Sequence, residues 1–308
     1  MKKSICSRYG QIEIFDNDLI CNFLESYGEW AQLEIEFFCD IFKQEKLKIF
    51  DIGAFIGTFS LGVAEQLSGA EILSVEMASD SFKLLRSNIA NKNYNIMLEN
   101  VAVSSKSATL FFKTKSSNRG ANTLVTSNND NNIFDVTCTE TTTLKKLSAK
   151  WFIPDVIKLD VEGHELEILK GSTNWLKGAK PHLWLECNEQ KKALEILDWL
   201  LWMGYEVYYF AFPSFNKNNY NNAKNSIFSI AYEAALIATS SATISHKLPL
   251  KSYTECLFYK VESRAMLRFA LYRTPRWGED SWLNLNSIEL LGILSHTRQG
   301  ILYEDFLK

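Results

Sequence analysis

The chain alternates between strand-like and helix-like hydrophobic patterns from residue 46 onward. Short apolar runs such as KLKIFDI and EILSVE are each followed by a segment whose apolar residues recur every three or four positions, the spacing of one helix face. Strands that alternate with helices need crossover connections, so the pattern predicts a mostly parallel α/β sheet with helices on both faces. A helical stripe also precedes the first strand; it consists of Trp30, Leu33, Phe37 and Ile41.

These patterns divide the chain into three regions. Residues 1–45 are predicted to form a polar entry and a helical N-terminal segment, and residues 46–240 carry the strand–helix alternation. Residues 241–308 are predicted to form a mainly helical, aromatic C-terminal extension of unknown role. Within the alternating region, two asparagine-rich segments, 115–133 and 215–225, lack the periodicity of buried elements. They are therefore either surface insertions or mobile walls beside a binding site.

Composition narrows the class of protein. A net charge of −3 over 308 residues gives no electrostatic reason to expect a nucleic-acid partner. The six cysteines include no C-x-x-C pair, which favours reduced thiols and a cytoplasmic protein. The most apolar stretch, EILDWLLWMGYEVYYFAF, contains Asp198 and Glu206. No segment is therefore predicted to span a membrane.

The stretch IFDIGAFIGTFSLGVA, residues 49–64, has the pattern of a buried strand, a glycine turn and the start of a helix. A dinucleotide-binding turn requires G-x-G-x-x-G, but Phe55 occupies the position of the middle glycine when the motif is counted from Gly53. The phosphate-binding string G-x-x-x-x-G-K-[ST] does not occur. The remaining pattern, D-x-G-x-x-x-G, begins at Asp51 and ends at Gly57. It disfavours NAD and nucleoside triphosphates.

An acid before a glycine turn suits a ligand that presents an ammonium group. S-adenosylmethionine has this shape: an amino-acid end, a ribose with two hydroxyls and an adenine. Gly53 would give the chain room to pass close to the ligand, and the amides that open the next helix would offset its carboxylate. Glu76 ends the following strand, 19 residues after Gly57. From this position an acid in such a fold accepts both ribose hydroxyls.

A second group of charged residues lies in VIKLDVEGHELEILKG, residues 156–171, at the end of another predicted buried strand. The carboxyl end of a parallel strand beside the glycine turn is where a reacting group would be bound. His164 is a candidate general base because its ordinary pKa, about 6.5, lies near neutral pH. A structural interpretation is also open: Glu162 and Glu165 suit the first turn of a helix, and Lys158 could pair with a neighbouring strand.

The motifs together resemble the FkbM family of S-adenosylmethionine-dependent methyltransferases. They are, in order, the glycine turn, SVE, LLRSNIANKN, ENVAVSS, VIKLDVEGHELEILKG and LWLECN, and they extend from about Tyr27 to about Ala238. DVEGHE is the most diagnostic of them. The resemblance implies a class I Rossmann-like methyltransferase fold with seven strands, the last antiparallel. The activity that it implies is O-methylation of a hydroxyl on a sugar, a polyketide or a similar metabolite.

The resemblance also implies roles for individual residues. Those that would hold the methionine end of the cofactor are Asp51, Gly53, Ala54 and Gly57. Glu76 would hold the ribose. Those that would flank the adenine are Asn100, Val101, Ala102 and Val103. Those that would line the reaction centre are Asp160, Glu162 and His164. The expected acceptor is a small molecule or a glycan.

The chemistry of methyl transfer sets what these residues must do. The sulfonium methyl is already activated, so positioning, which can contribute on the order of 7–11 kcal/mol, dominates. A base, either Asp160 or His164, would add roughly 10²–10⁴-fold by taking the proton of the acceptor.

Three alternatives remain at this point. A Mg²⁺ ion could bind Asp160, Glu186 and Asn188, although the sequence has no spacing signature for it. A nicotinamide oxidoreductase is disfavoured by Phe55. A non-catalytic binding or assembly protein would act through the C-terminal extension, where Trp277 and Trp282 could form a contact surface.

Overall fold

The computed structural model describes residues 2–16, 18–113, 123–125, 136–187, 191–227, 232–240 and 253–274. Its strands are β1 (Lys2–Ser7), β2 (Gly10–Phe15), β3 (Lys48–Ile52), β4 (Glu71–Val75), β5 (Ile96–Glu99), β6 (Ala102–Val103), β7 (Thr109–Lys113), β8 (Thr123–Val125), β9 (Val136–Thr142), β10 (Val156–Leu159), β11 (His182–Glu186), β12 (Glu206–Pro213), β13 (Tyr232–Thr239) and β14 (Leu257–Lys260). Its helices are α1 (Leu19–Tyr27), α2 (Gln32–Ile41), α3 (Thr58–Gln66), α4 (Ser79–Ile89), α5 (Leu144–Lys150), α6 (Glu165–Gly171), α7 (Thr173–Ala179), α8 (Lys191–Trp202) and α9 (Arg264–Arg273).

The central sheet of the described residues has the strand order β14-β12-β13-β11-β10-β3-β4-β5. Strands β11, β10, β3, β4 and β5 pair in parallel, whereas β13 is antiparallel to both of its neighbours. This confirms the predicted class I fold, in which the last of seven strands runs against the others. An eighth strand, β14, adds to the edge beside β12 and was not predicted.

The two faces of this sheet bury different layers. Ile49 and Trp184 belong to the hydrophobic layer that packs against α2, α3 and the N-terminal segment. Phe50 and Ile52 belong to the opposite layer, together with residues of α5, α6 and α8. Because side chains alternate along a strand, Asp51 shares the face of Ile49. A carboxylate therefore lies in the layer beneath α2 and α3.

The N-terminal segment begins with an antiparallel hairpin, β1–β2, where a polar entry to a helix was expected. The polar entry thus contains a hairpin that was not predicted, and the helices α1 and α2 follow it. The hairpin turns at Arg8 and Tyr9, between the paired residues Ser7 and Gly10. The φ of Gly10, +80°, suits glycine, and apolar and polar residues alternate along β2. Its buried side chains, Ile12 and Ile14, join the layer of α2 and α3.

A second sheet follows β5, with the strand order β6-β9-β7-β8. It occupies part of the chain that was predicted to be a loop, since β8 lies within 115–133. Most of that asparagine-rich segment lies outside the described residues.

The C-terminal extension contributes to the core as far as residue 274. Strand β14 pairs with β12, and Leu267 and Leu271 of α9 are buried in the layer that includes α8. The described part of the extension thus contains one strand, β14, and one helix, α9, and the prediction that residues 241–308 are mainly helical remains a prediction. Trp277 and Trp282 lie outside the described residues.

The second asparagine-rich segment, 215–225, is pinned to the N-terminal segment. The buried carboxylate of Glu29 accepts hydrogen bonds from Arg8 Nε at 2.6 Å, Asn216 Nδ2 at 2.9 Å and the Tyr220 amide at 3.0 Å. Asn221 Nδ2 donates to two carbonyls at the end of α1. This segment follows the carboxyl end of β12, and these hydrogen bonds hold it against the N-terminal segment.

Replacing Glu29 with alanine should loosen segment 215–225 from the N-terminal segment. The change removes a buried acceptor of three hydrogen bonds, and we expect the free energy of unfolding to fall by about 2 kcal/mol. Urea denaturation measures the loss, and limited proteolysis should show faster cleavage within 215–225. Glu25→Ala is the matched control, because Glu25 is an exposed acid of α1 that pairs with Lys3 and should cost less than about 1 kcal/mol. Equal protease resistance of Glu29→Ala and the native protein would contradict the pinning.

Candidate active site

A row of polar side chains crosses the sheet one or two residues before the carboxyl ends of its strands. Ser74, Asp51, Lys158 and Trp184 are direct partners across β4, β3, β10 and β11. Residues paired in this way point to the same face of the sheet. All four are buried beneath α2 and α3. We call these four residues the polar row.

Lys158 is the cation of the polar row. Its Nζ donates to Asp160 Oδ2 at 2.7 Å and lies 5.1 Å from the centre of the Phe59 ring. Burial alone would lower the pKa of Lys158, but the carboxylates of Asp160, Glu34 and Asp51 outweigh it and raise the pKa. The side chain is therefore charged. It supplies positive charge to acids of β3, of α2 and of the loop that follows β10.

Glu34 reaches the polar row from α2. Its Oε1 accepts a hydrogen bond from Trp184 Nε1 at 2.7 Å. Burial raises the pKa of Glu34 to about 7, against the opposing charge of Lys158. This residue was not identified from the sequence. The signal was its position three and four residues before Phe37 and Phe38, which places an acid on the apolar face of α2.

Asp51 is fully buried and has one satisfied oxygen. Its Oδ2 accepts from Ser60 Oγ at 2.6 Å, and Ser60 Oγ lies 2.6 Å from Ser74 Oγ. Oδ1 is buried without a hydrogen-bond partner among the described residues. Burial raises the pKa of Asp51, whereas Lys158 and Ser60 lower it. Oδ1 is thus an acceptor that a ligand's donor would satisfy.

The backbone amides of the glycine turn donate hydrogen bonds to acceptors of the same chain. The amides of Gly53 and Ala54 donate to the Val75 carbonyl at 2.9 and 3.0 Å, and that of Gly57 donates to the Ala54 carbonyl at 2.8 Å. The Phe55 amide donates to Glu76 Oε2 at 2.9 Å. A phosphate-binding turn presents such amides to its ligand. These four amides are committed elsewhere, which argues against a diphosphate ligand.

Gly53 is required by the neighbouring strand. Its φ is +90°, and a Cβ built there would lie 1.9 Å from the Asp160 carbonyl oxygen. The glycine is therefore needed for the close approach of the backbone after β10, and its predicted contact with a ligand remains a prediction. Phe55 also has a positive φ, +49°, which is uncommon for a bulky residue and marks a strained point of the turn.

Glu76 fastens the glycine turn to the start of α4. Its two oxygens accept from the amides of Phe55 at 2.9 Å and Ala78 at 2.7 Å. Burial raises the pKa of Glu76 to about 7, although these two hydrogen bonds oppose the shift. Each carboxylate oxygen has a second lone pair, so the acid can still accept from a ligand.

The segment after β5 approaches the same place. Asn100 Nδ2 donates to the carbonyls of Glu76 at 2.8 Å and Met77 at 3.2 Å. Val101 is partly buried, and Ala102 and Val103 are buried in β6. The structure thus brings Asn100 to Glu76.

Three acids meet at the carboxyl ends of β10 and β11. One ligand oxygen from each of Asp160, Glu162 and Glu186 lies within 4.8 Å of the others, and we call them the acid group. Burial raises the pKa of Glu186 well above its ordinary value, and the charges of Asp160 and Glu162 raise it further. Oxygen donors at this separation could hold Mg²⁺ or Ca²⁺. Asn188, the predicted third ligand, lies outside the described residues.

His164 lies on the same loop but has a different partner. Its Nε2 is 3.0 Å from Ser104 Oγ, and burial lowers its pKa. The charges that act on it are those of Glu167 and Lys192, rather than those of the acid group. Glu165 holds this loop in shape, because its Oε1 accepts from the amides of Val161 at 3.0 Å and Gly163 at 3.2 Å.

The structure therefore sorts the predicted residues into two groups. Asp51, Gly53 and Glu76 surround the glycine turn, and Asp160 and Glu162 lie in the acid group. Their predicted roles remain predictions. His164 is engaged with Ser104.

Comparison with known proteins places this geometry in a family. The model of the methyltransferase FkbM domain matches residues 51–207, about half of the chain. The chain belongs to the FkbM methyltransferase family. The match begins at Asp51 and includes Glu76, Asp160 and Glu186. A search of curated proteins gives no match.

Solved structures of methyltransferases are similar at low identity. The FkbM methyltransferase of Methylobacillus flagellatus is 16% identical, with a TM-score of 0.42 over 63% of this chain and 44% of that one. This chain thus spans less than half of that protein. Precorrin-6y C5,15-methyltransferase of Geobacter metallireducens is 13% identical, with a TM-score of 0.44 over 68% and 88%. Human methyltransferase 10 domain containing protein is 17% identical, with a TM-score of 0.41 over 72% and 95%. At these values the solved structures say nothing about the acceptor.

The sequence predicts no membrane-spanning segment. Among the helices that the structure describes, none has both the length and the hydrophobicity to cross a bilayer.

The buried acids predict an unusual dependence of stability on pH. The folded pKa values of Glu34 and Glu76, about 7, exceed the ordinary 4.5, so the folded state binds protons that the unfolded state releases between these values. The stabilisation that this proton binding gives the folded state is fully present below pH 4.5 and is lost as the pH rises through about 7. Urea denaturation between pH 4.5 and above 7 should therefore show stability falling with pH. Glu34→Gln should reduce this slope.

The matched control is Glu36→Gln, two residues along the same helix, which should keep the slope of the native protein. A slope that is the same in all three proteins would show that Glu34 does not titrate in this range.

Proposed function

We propose that this FkbM methyltransferase uses S-adenosylmethionine to methylate a hydroxyl group of a small molecule or a glycan. The observation that supports this most is the glycine turn. Its amides are committed internally, while a buried oxygen of Asp51 and the carboxylate of Glu76 lie beside it. Such a turn suits a cationic nucleoside better than a diphosphate. For the same reason it disfavours a nicotinamide cofactor.

The residues present fit each part of that cofactor. Asp51 Oδ1 would accept a hydrogen bond from the ammonium group. The first amides of α3 would face the carboxylate of the cofactor, because Gly57, the N-cap of α3, has no side chain to bond them. Glu76 would accept from the ribose hydroxyls. Asn100, Val101 and Ala102 would flank the adenine. When bound, the cofactor supplies a methyl group on a positively charged sulfur.

The acid group would handle the acceptor. We assign the general base to Asp160, whose carboxylate is partly exposed and is oriented by Lys158 at 2.7 Å. Asp160 would take the hydroxyl proton as the acceptor oxygen bonds to the methyl carbon and the carbon–sulfur bond breaks. The lowered pKa of His164 favours a neutral ring, but its contact with Ser104 points to a role in holding the loop.

Part of the negative charge of the acid group is balanced within the chain. Lys158 pairs with Asp160 at 2.7 Å. The group could also hold a divalent cation, in which case Asp160, Glu162 and Glu186 would be its ligands. We favour the form without a metal because the cation of the polar row is part of the chain itself.

Calorimetry with two ligands tests the proposal. S-adenosylhomocysteine, which lacks only the transferred methyl group, should bind with a dissociation constant in the micromolar range (roughly −8 kcal/mol), and NAD should not bind measurably. Binding of NAD with no binding of S-adenosylhomocysteine would refute the proposed function.

The pH dependence of that binding tests Glu76. Ribose hydroxyls donate to a carboxylate, so protonation of Glu76, whose pKa is about 7, should weaken binding. We expect the dissociation constant for S-adenosylhomocysteine to rise as the pH falls below about 7, by up to about tenfold per pH unit. Glu76→Gln should bind weakly at every pH, without this slope. A native protein with flat affinity across this range would remove Glu76 from the ribose site.

Turnover tests the base. A panel of sugars, glycosides and hydroxylated polyketides, incubated with methyl-labelled cofactor, identifies an acceptor. With that acceptor, Asp160→Asn should lower the rate by about 10²–10⁴-fold while S-adenosylhomocysteine affinity stays within about twofold. His164→Gln should stay within a few-fold of the native rate.

The same assay is repeated with excess EDTA, where the native rate should persist. Full activity of Asp160→Asn with normal cofactor binding would rule out Asp160 as the base, and loss of native activity in EDTA that Mg²⁺ restores would favour the metal-bound form.

A further inference from the structure

Asn88 is a buried amide that joins the N-terminal hairpin to the glycine turn. Its Oδ1 accepts from the Glu13 amide at 2.6 Å, and its Nδ2 donates to the Glu13 carbonyl at 3.1 Å. The same Nδ2 donates to the Ile56 carbonyl at 2.9 Å. One side chain of α4 thus binds both backbone groups of a residue in β2 and a carbonyl of the turn.

A second contact joins the same two elements. The rings of Phe15, at the end of β2, and Phe55, in the turn, lie 6.0 Å apart. Lys92 Nζ donates to the Tyr9 carbonyl at 2.7 Å and fastens the tip of the hairpin just beyond the end of α4. The hairpin is therefore attached along its length, and its attachments include two consecutive residues of the turn, Phe55 and Ile56.

The turn needs such support. Phe55 has a φ of +49°, a conformation that costs free energy for a bulky residue and persists when the surroundings hold it. Its amide is also the donor to Glu76. A relaxed Phe55 would withdraw that donor and change the position of the carboxylate.

We propose that Asn88 is a positioning residue and that the hairpin is a working part of the cofactor site. Asn88 holds Ile56, and through it Phe55 and Glu76, in the arrangement that binds the cofactor. This inference rests on the proposed function. It assigns a role to residues 2–15, which lie outside the region matched by the family model.

Linkage makes the proposal testable in both directions. If the hairpin stabilises the binding form of the turn, bound cofactor must stabilise the attachment of the hairpin by the same factor. The Glu13 amide reports on this directly, because its hydrogen bond to Asn88 is the attachment.

The first experiment compares S-adenosylhomocysteine affinity by calorimetry in the full chain. Asn88→Ala removes all three hydrogen bonds. Asn88→Asp keeps the acceptor for the Glu13 amide but sets a carboxylate oxygen against two carbonyls. We expect each to weaken binding by about tenfold or more. The matched control is Asn91→Ala, an exposed asparagine three residues further on, which should bind as the native protein does.

The second experiment is hydrogen exchange of the native protein, which requires no variant to fold. Saturating S-adenosylhomocysteine should slow exchange in the peptide that covers residues 10–16 by about the factor that Asn88→Ala costs in affinity. In Asn88→Ala the ligand should leave exchange of this peptide unchanged. A variant that is merely destabilised would exchange faster with and without ligand but would keep the ligand's effect.

The outcomes separate the two proposals. A native protein that does not bind S-adenosylhomocysteine would overturn the proposed function and this inference with it. A native protein that binds it, but whose hairpin exchange does not respond and whose Asn88 variants bind normally, would overturn this inference alone.

Discussion

The site is organised around the buried ammonium of Lys158. Moving a charge out of water costs several kcal/mol unless partners surround it, and here Asp51, Asp160 and Glu34 do so. The same partners would repel one another without the lysine. A single cation in the centre of the sheet therefore allows Asp51, beneath the glycine turn, and Asp160, in the acid group, to lie close together. Trp184 donates to Glu34 Oε1 and Ser60 donates to Asp51 Oδ2, so each of these acids also has a neutral hydrogen-bond partner.

The position of Lys158 in the strand order explains why it lies near acids from both halves of the sheet. Strands β3, β4 and β5 extend to one side of the sheet, and β10 and β11 extend to the other. In open α/β sheets, ligands bind where the order reverses, which here is between β3 and β10. Gly53 and Asp160 meet at this point so closely that a Cβ would collide with the carbonyl. The glycine is thus required by the junction of the two halves.

Much of the parallel sheet could be predicted because its strands are short apolar runs that end at an acid or a glycine. Strands β3 and β4 end at Ile52 and Val75, close to where the patterns indicated. The hairpin was missed because its alternation of apolar and polar residues was treated as a polar entry, and the second sheet because an asparagine-rich run concealed β8. Asn88 could not have been found in this way, since its partner Glu13 is 75 residues away. The Trp184–Glu34 contact spans 150.

The structure also separates two meanings of a glycine-rich turn. In a phosphate-binding turn, free amides are the binding groups, so the ligand completes the hydrogen bonding of the loop. Here the amides of Gly53, Ala54, Phe55 and Gly57 are already bonded within the chain, and the side chains beside the turn, those of Asp51 and Glu76, offer acceptors. A turn whose amides are already hydrogen-bonded, and whose neighbouring side chains are acceptors, favours a ligand that carries positive charge and hydroxyl groups. The proposed preference for S-adenosylmethionine rests on this backbone geometry and two acids, so it does not depend on the identity of the methyl acceptor.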